Sequence, residues 1–270
     1  ELTDSMVDDI IWAKPMCFCL ENVLGILTTK TLARVLVRLR RAGYAVSVKR
    51  WHANRVGAPQ DRVRVIIVGT LNGPEAIARY EAIADVLMTR PATTIAEILP
   101  HLAAEGWEAI YKKSRASSSK TSYSIHGALP TITTTCMASR PADYQPHPDD
   151  DAEPSKTKVA SMVEWNLLAG LGHAGYEPAT TLGDVGKLAG NCVPWQLAHA
   201  VNVAMHDSGC WTGWRKHAYR DRVGDYIPWC TPRQPDKWTI AAPSTIQQLC
   251  VRMGGLTHEV CPVSSGSRLT

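Results

Sequence analysis

A carboxylate and an amide, Glu21 and Asn22, end the short apolar run Met16 to Leu20, and two guanidinium groups, Arg62 and Arg64, stand two residues apart where a second apolar run begins. Residues two apart on a strand share a face. Arg62 and Arg64 can therefore work on one side of a sheet, one binding a carbonyl oxygen and the other orienting a pocket or a phosphate. A carboxylate at the carboxyl end of a strand can accept hydrogen bonds from an amine and share a proton with a ring nitrogen. Further on, Gly190, Asn191, Val193 and Pro194 combine a small residue, an amide and a helix-initiating proline. Each group also has a plainer reading: a turn or cap for Glu21 and Asn22, a solvated strand face for the arginines, a loop opening a helix for Gly190 to Pro194. Lys112 and Lys113 precede the Ser/Lys/Arg-rich loop 114–124 and Arg115 and Lys120 lie in it, suited either to water or to phosphates.

The thiols offer less. Eight cysteines, at 17, 19, 136, 192, 210, 230, 250 and 261, form no CxxC pair, and reduced thiols fit this pattern better than a disulfide framework. Cys17 falls inside an apolar run, where a thiol is held protonated and inert. Cys210, His217, Cys230, Cys250, His258 and Cys261 match no compact zinc pattern, so no metal is expected.

These groups need elements to place them. Met6, Val7, Ile10 and Ile11 are at helical spacing over 4–12, with Thr3 or Asp4 as cap. The run 16–20 then reads as a parallel strand buried on both faces. Leu32, Val35, Leu36 and Leu39 stripe a helix over 31–41, with Arg34, Arg38 and Arg41 on another face that is either solvated or set against a DNA backbone. Residues 44–48 and 62–69 read as strands joined by the turn-rich link 56–61. This is half of a doubly wound α/β fold, and such sheets bind ligands at the carboxyl ends of their strands. The order loosens over 71–156, with helices expected at 76–88 and 95–105 and a Pro/Asp-rich linker at 141–155. It returns over 163–171 and in a helix running from Pro194 to Met205. The Trp- and Pro-rich tail from His206 has no clear period.

In order along the chain, Pro15 with Phe18-Cys19-Leu20-Glu21-Asn22-Val23-x-Gly25, then Gly57-x-Pro59-Gln60-x-Arg62-x-Arg64, then Pro130 to Thr134, then Gly190-Asn191-x-Val193-Pro194 resemble the ENV, QxRxR, PTIT and GNxVP motifs of the cytosine-5 DNA methyltransferases. The resemblance covers roughly residues 1–206. It implies a partial Rossmann-like sheet of the S-adenosylmethionine-dependent methyltransferases with a small target-recognition region, divided into catalytic core (1–70), recognition-like region and linker (71–160), return to the core (161–206) and an irregular extension (207–270). It also implies methylation of a flipped cytosine in double-stranded DNA, of the kind found in restriction–modification, inside the cell wherever the DNA is. Glu21, Arg62 and Arg64 would be catalytic, Asn22, Asn191 and Val193 would meet S-adenosyl-L-methionine, and Lys112, Lys113, Arg115 and Lys120 would touch DNA. The family attacks cytosine C6 with a cysteine thiolate to make C5 reactive, and swings the base out of the duplex at a cost of a few kcal/mol.

Two family elements do not appear in this sequence: the Gly-rich cofactor loop and a Pro-Cys dipeptide. None of the eight cysteines directly follows a proline. The segment 163–168 also stands where the family has an Arg-bearing motif. The expectation is a part of an enzyme, with the nucleophile on a missing N-terminal half or partner subunit; Glu1 in place of a start Met agrees, and the acidic start has no leader-like basic region. The alternative is a non-catalytic DNA-binding or scaffold relative. A net charge of +4 permits a polyanionic partner without requiring one. At 45% apolar residues the chain can bury a core, and no apolar run approaches the ~20 residues of a membrane span.

Overall fold

Strand β1 (Cys17–Asn22) follows helix α1 (Leu2–Ala13), and β2 (Ala45–His52) follows helix α2 (Lys30–Arg41), in a computed structural model that describes residues 2–113, 120–134, 140–141, 144–171 and 182–211, all within the unit Glu1–Ala218. The start of α2 is set by Thr29, whose hydroxyl accepts the Leu32 N–H, and the helix buries Leu32, Val35 and Leu39. After a two-residue strand β3 (Gln60–Asp61) comes β4 (Val63–Thr70), which takes the centre of a three-stranded sheet in the order β1-β4-β2. Both neighbours run antiparallel to β4 and therefore parallel to each other.

The pleat divides this sheet's side chains. Phe18, Leu20, Val65 and Ile67 pack with Val35 and Leu39 under α1 and α2. On the other face Trp51, Ile66 and Val68 meet Tyr80 and Ala84 of helix α3 (Pro74–Leu87), together with Leu197, Val201 and Met205. Helices on both faces of one sheet make the fold α/β, as expected from the sequence. Phe18 sits directly opposite Gly69, where an added Cβ would lie 2.2 Å from the ring, and its ring stands edge-on to Tyr44 at 5.1 Å. The basic face of α2 is turned to α1: Arg34 donates to both carboxylate oxygens of Asp4 at 3.1 and 2.6 Å, and Arg38 pairs with Asp8.

Beyond α3 come the single-turn helices α4 (Ile95–Ile98) and α5 (His101–Ala104), strands β5 (Ala109–Tyr111), β6 (Ser122–Ser124), β7 (Leu129–Pro130) and β8 (Thr157–Val159), and helices α6 (Met162–Leu168), α7 (Leu182–Asn191) and α8 (Trp195–Asp207). β5 is flanked by β6, antiparallel, and β8, parallel, while β7 pairs in parallel with β3. A separate core gathers Ile95, Leu102, Ile110, Leu129, Ile132, Trp165, Leu168 and Ala189. No described helix is long and apolar enough to cross a membrane.

Several expectations are corrected. β1 is antiparallel to β4, its one partner among the described residues, and it is buried on one face rather than two, because Cys19 and Glu21 are exposed while Phe18 and Leu20 are covered. The run is apolar only if its cysteines count as core. The helix expected over 95–105 is two helices broken at Pro100, whose ring disfavours helical backbone at Leu99 (φ −122°, ψ 65°). Residues 122–124, placed in a loop, form β6. The strand expected over 44–48 runs on to His52.

Candidate functional site

Glu21 and Arg64 are brought together by strand register. Glu21 stands opposite Ile66 on β4, so Arg64, two residues before Ile66, is its diagonal neighbour on the same face. Arg64 Nε reaches Glu21 Oε1 at 2.7 Å, while Arg64 Nη1 donates to the Val63 carbonyl at 2.8 Å. The arginine side chain is 12% exposed and that of Glu21 is 33% exposed. This is a solvent-reachable carboxylate backed by a cation that is almost out of water, a geometry that holds charge in place while leaving one carboxylate oxygen for a ligand.

Arg62 is placed differently. It is 3% exposed, and its two terminal nitrogens donate to the main-chain carbonyls of Ile132 (3.0 Å) and Gly190 (2.9 Å). Burial pulls its pKa below the ordinary guanidinium value, and the neighbouring Arg64 cation acts in the same direction. The sequence gives the two arginines identical spacing; the structure gives one a carboxylate and the other two peptide carbonyls. Gln60, two residues before Arg62 in the QxRxR-like run, is fully buried, with Oε1 accepting the Ile132 N–H at 3.3 Å and Nε2 donating to the Leu168 carbonyl at 3.2 Å.

Asn22 lies on the α1 and α2 face, opposite to Glu21, and its Oδ1 accepts the Val23 N–H at 2.9 Å in a local turn. Asn191 ends α7 and is exposed. Val193 is half-buried against the cluster of Trp51 and Leu197. Asn22 and Val193 thus lie toward opposite faces of the sheet, and the structure does not bring them together.

The basic groups of the middle region are partly committed. Lys120 pairs with Asp151 and stands 5.3 Å from the Tyr123 ring centre, and Lys112 Nζ lies 5.8 Å from the same ring. Lys113 is exposed, and Arg115 lies outside the described residues. Nearby, Asp150 accepts the backbone N–H groups of Thr121, Ser122 and His147 and the Tyr144 hydroxyl. Burial pushes its pKa up, but these bonds outweigh it and hold the carboxyl at about 2. Asp150 is thus a structural anchor for that loop. Of the basic face of α2, Arg34 and Arg38 are taken up by Asp4 and Asp8, while Arg41 is exposed.

Among the described residues, burial pushes up the pKa of each thiol, Cys17, Cys19, Cys192 and Cys210. Burial pushes Cys17 up to about 11, so it stays protonated near neutral pH. Cys210 is buried beyond α8, accepting from the Ser208 hydroxyl; His217, Cys230, Cys250, His258 and Cys261 lie outside the described residues.

Comparison with known proteins adds three findings. The family described as C-5 cytosine-specific DNA methylase matches residues 5–206. The chain is 32% identical over 136 residues to the type II methyltransferase M.NlaX of Neisseria lactamica, covering 46% of this chain and 42% of that protein, and 39% identical over 61 residues to M.BanI of Aneurinibacillus aneurinilyticus, covering 22% and 14%. The chain therefore spans less than half the length of either relative. Among solved structures, the S. pombe Dnmt2 methyltransferase superposes with a TM-score of 0.48 at 14% identity, over 72% of this chain and 68% of that one.

Proposed function

Because the chain belongs to the C-5 cytosine-specific DNA methylase family, we propose that it supplies the base-holding part of a DNA (cytosine-5) methyltransferase whose nucleophilic cysteine comes from a segment outside these 270 residues. The observation that carries this reading is the Glu21–Arg64 contact at 2.7 Å. A flipped cytosine offers an amine, a ring nitrogen and a carbonyl oxygen along one edge. Glu21 accepts from the amine and holds a proton at the ring nitrogen, which withdraws electrons from C6 and readies it for a thiolate. Arg64 fixes the orientation of that carboxylate and stabilises its charge, and it is the arginine assigned here to the base's carbonyl oxygen, its contact with Glu21 supporting that reading.

Bound S-adenosyl-L-methionine supplies the methyl group. The family resemblance assigns Asn22, Asn191 and Val193 to that cofactor, the amides through hydrogen bonds and Val193 through its apolar side chain. Lys112, Lys113, Arg115 and Lys120 belong to the region that faces double-stranded DNA; Lys113, exposed, is ready for a phosphate, whereas Lys120 must first leave Asp151. The nucleophile is assigned elsewhere because no cysteine in this sequence follows a proline and the Cys17 thiol, pushed up to about 11, stays protonated.

The test combines this chain with an N-terminal segment carrying a Gly-rich loop and a Pro-Cys dipeptide, and follows incorporation of labelled methyl into DNA at cytosine C5. Methylation that needs both parts is expected. Glu21→Gln should lower the rate on the order of 100-fold, the usual worth of a positioned acid or base, with an unchanged circular dichroism spectrum. Salt-sensitive DNA binding with no methylation by any combination would favour a non-catalytic DNA-binding relative, and an unchanged rate in Glu21→Gln would remove Glu21 from the chemistry.

A further inference from the structure

Gln60 and Arg62 share a pattern that base binding does not explain. Both are buried, both aim at main-chain groups, and both hold the same residue. Gln60 Oε1 accepts the Ile132 N–H at 3.3 Å, and Arg62 Nη1 donates to the Ile132 carbonyl at 3.0 Å, so both main-chain groups of that residue are taken by side chains two apart in the sequence. The remaining arm of each reaches a third segment: Gln60 Nε2 to the Leu168 carbonyl at the end of α6 (3.2 Å), and Arg62 Nη2 to the Gly190 carbonyl at the end of α7 (2.9 Å). Arg62 Nε is buried without a partner, so the fork is aimed at these two carbonyls at the expense of its third donor site.

The surrounding backbone is tied along the same line. Leu129 N–H donates to the Pro59 carbonyl at 2.9 Å, β3 pairs with β7 from Gln60 to Leu129 and Asp61 to Pro130, and the Thr131 hydroxyl donates to the Asp61 carbonyl at 2.7 Å. Gly190 has no room for a side chain, since a Cβ there would stand 2.3 Å from Thr134 N and 2.7 Å from Thr133 C. The end of α7 therefore lies backbone against backbone on residues 133–134. The segments 59–62, 129–134, 168 and 190 meet in one joint, two residues from Arg64.

We propose that Gln60 and Arg62 are positioning residues: a clamp that fixes the 129–134 segment, and through it the DNA-recognition region, relative to the Glu21–Arg64 pair. The proposal rests on the methyltransferase reading for its consequence but not for its geometry. Arg62 does not touch the base. It carries recognition of DNA to the base pocket by holding the strand that enters the recognition region and the turn that leaves α7 in fixed register. A guanidinium is needed because its planar fork reaches two separate carbonyls at once, which the single ammonium of lysine does not.

Amide hydrogen exchange on this chain, comparing Arg62→Lys, Gln60→Met and Arg64→Lys with the parent, tests the clamp independently of activity. Arg62→Lys and Gln60→Met should each speed exchange of peptides spanning 129–134 by about tenfold, with Arg62→Lys also speeding those spanning 186–192, while Arg64→Lys leaves both unchanged. Should Arg62→Lys fail to fold, Gln60→Met, which buries no charge and nearly keeps the side-chain shape, is read alone. In the methylating complex Arg62→Lys should raise KM for DNA with kcat within a factor of about three, and Arg64→Lys should lower kcat with little change in KM. Unchanged exchange in Gln60→Met, or a fall in kcat at unchanged KM in Arg62→Lys, overturns the clamp. Faster exchange without methylation by any combination retains the joint and removes the methyltransferase reading instead.

Discussion

A carboxylate answers to whatever surrounds it, and Glu21 and Glu164 are held in opposite ways. Glu21 is partly exposed and has a single cation behind it. Glu164 is buried, accepts the Ser161 N–H at 2.7 Å as part of a capping box at the start of α6, and meets His101 Nε2 at 2.7 Å and Lys158 Nζ at 3.0 Å. Burial pushes its pKa up, yet Ser161, His101 and Lys158 together bring it down from 4.5 to about 2. Since the folded chain binds this proton less readily than the unfolded chain, the carboxylate contributes stability above about pH 4.5 that is lost as the pH falls toward 2. Glu164→Gln should therefore cost about 2 kcal/mol at neutral pH, and the gap to the parent in urea melts should close across that window; a gap constant with pH would mean that the carboxylate's charge is not what matters. At this scale the sequence was legible in part. Glu21, Arg62 and Arg64 could be picked out by type and spacing, but nothing in an alternating Arg-x-Arg tells which guanidinium will face a carboxylate and which two buried carbonyls, because the carbonyls of Ile132 and Gly190 lie 70 and 128 residues away. Glu164 is hidden for a different reason: Ser161-x-x-Glu164 is a capping-box pattern, but its partners His101 and Lys158 are brought to it only by the fold.

Elements with strong periodic stripes were read closely: α2 starts one residue from its expected place, and α3 and α8 fall within two. Elements made by distant partners were not. β1 owes its antiparallel pairing to β4, more than 40 residues downstream, and β6 exists because Ser122 to Ser124 lie beside β5 and are tied down by Asp150 and Asp151. The three glycines of α7, at 183, 186 and 190, hide it from propensity, since each costs a helix about 1 kcal/mol. Gly190 is there for contact. Gly190→Ala should raise the intrinsic helix propensity of α7 and still destabilise the protein by about 1–3 kcal/mol, the usual cost of forcing an atom into a filled space, because its methyl would meet the backbone of Thr133 and Thr134. Thermal melting decides the sign, and a rise in Tm would show that the 133–134 segment yields freely.

For the molecule as a whole, the most informative unpaired feature is the outer edge of β1. Among the described residues, β4 is the only strand it pairs with. A six-residue edge carrying no lysine or proline is poorly protected against pairing with another chain, and the segment proposed above to bring the nucleophile is expected to add a strand there. The outward-facing side of this edge carries Glu21, so anything that pairs there arrives beside the proposed base pocket. One of its residues also offers a way to watch that arrival. Phe18 is the only phenylalanine in the 270 residues, and its ring is seated on Gly69 with Tyr44 at its edge. Growth on fluorinated phenylalanine would place one spectroscopic label in the protein, on the edge strand itself. Its fluorine spectrum should hold a single resonance for this chain alone and shift when the complementing segment is added, so that docking could be titrated without waiting for a methylated product.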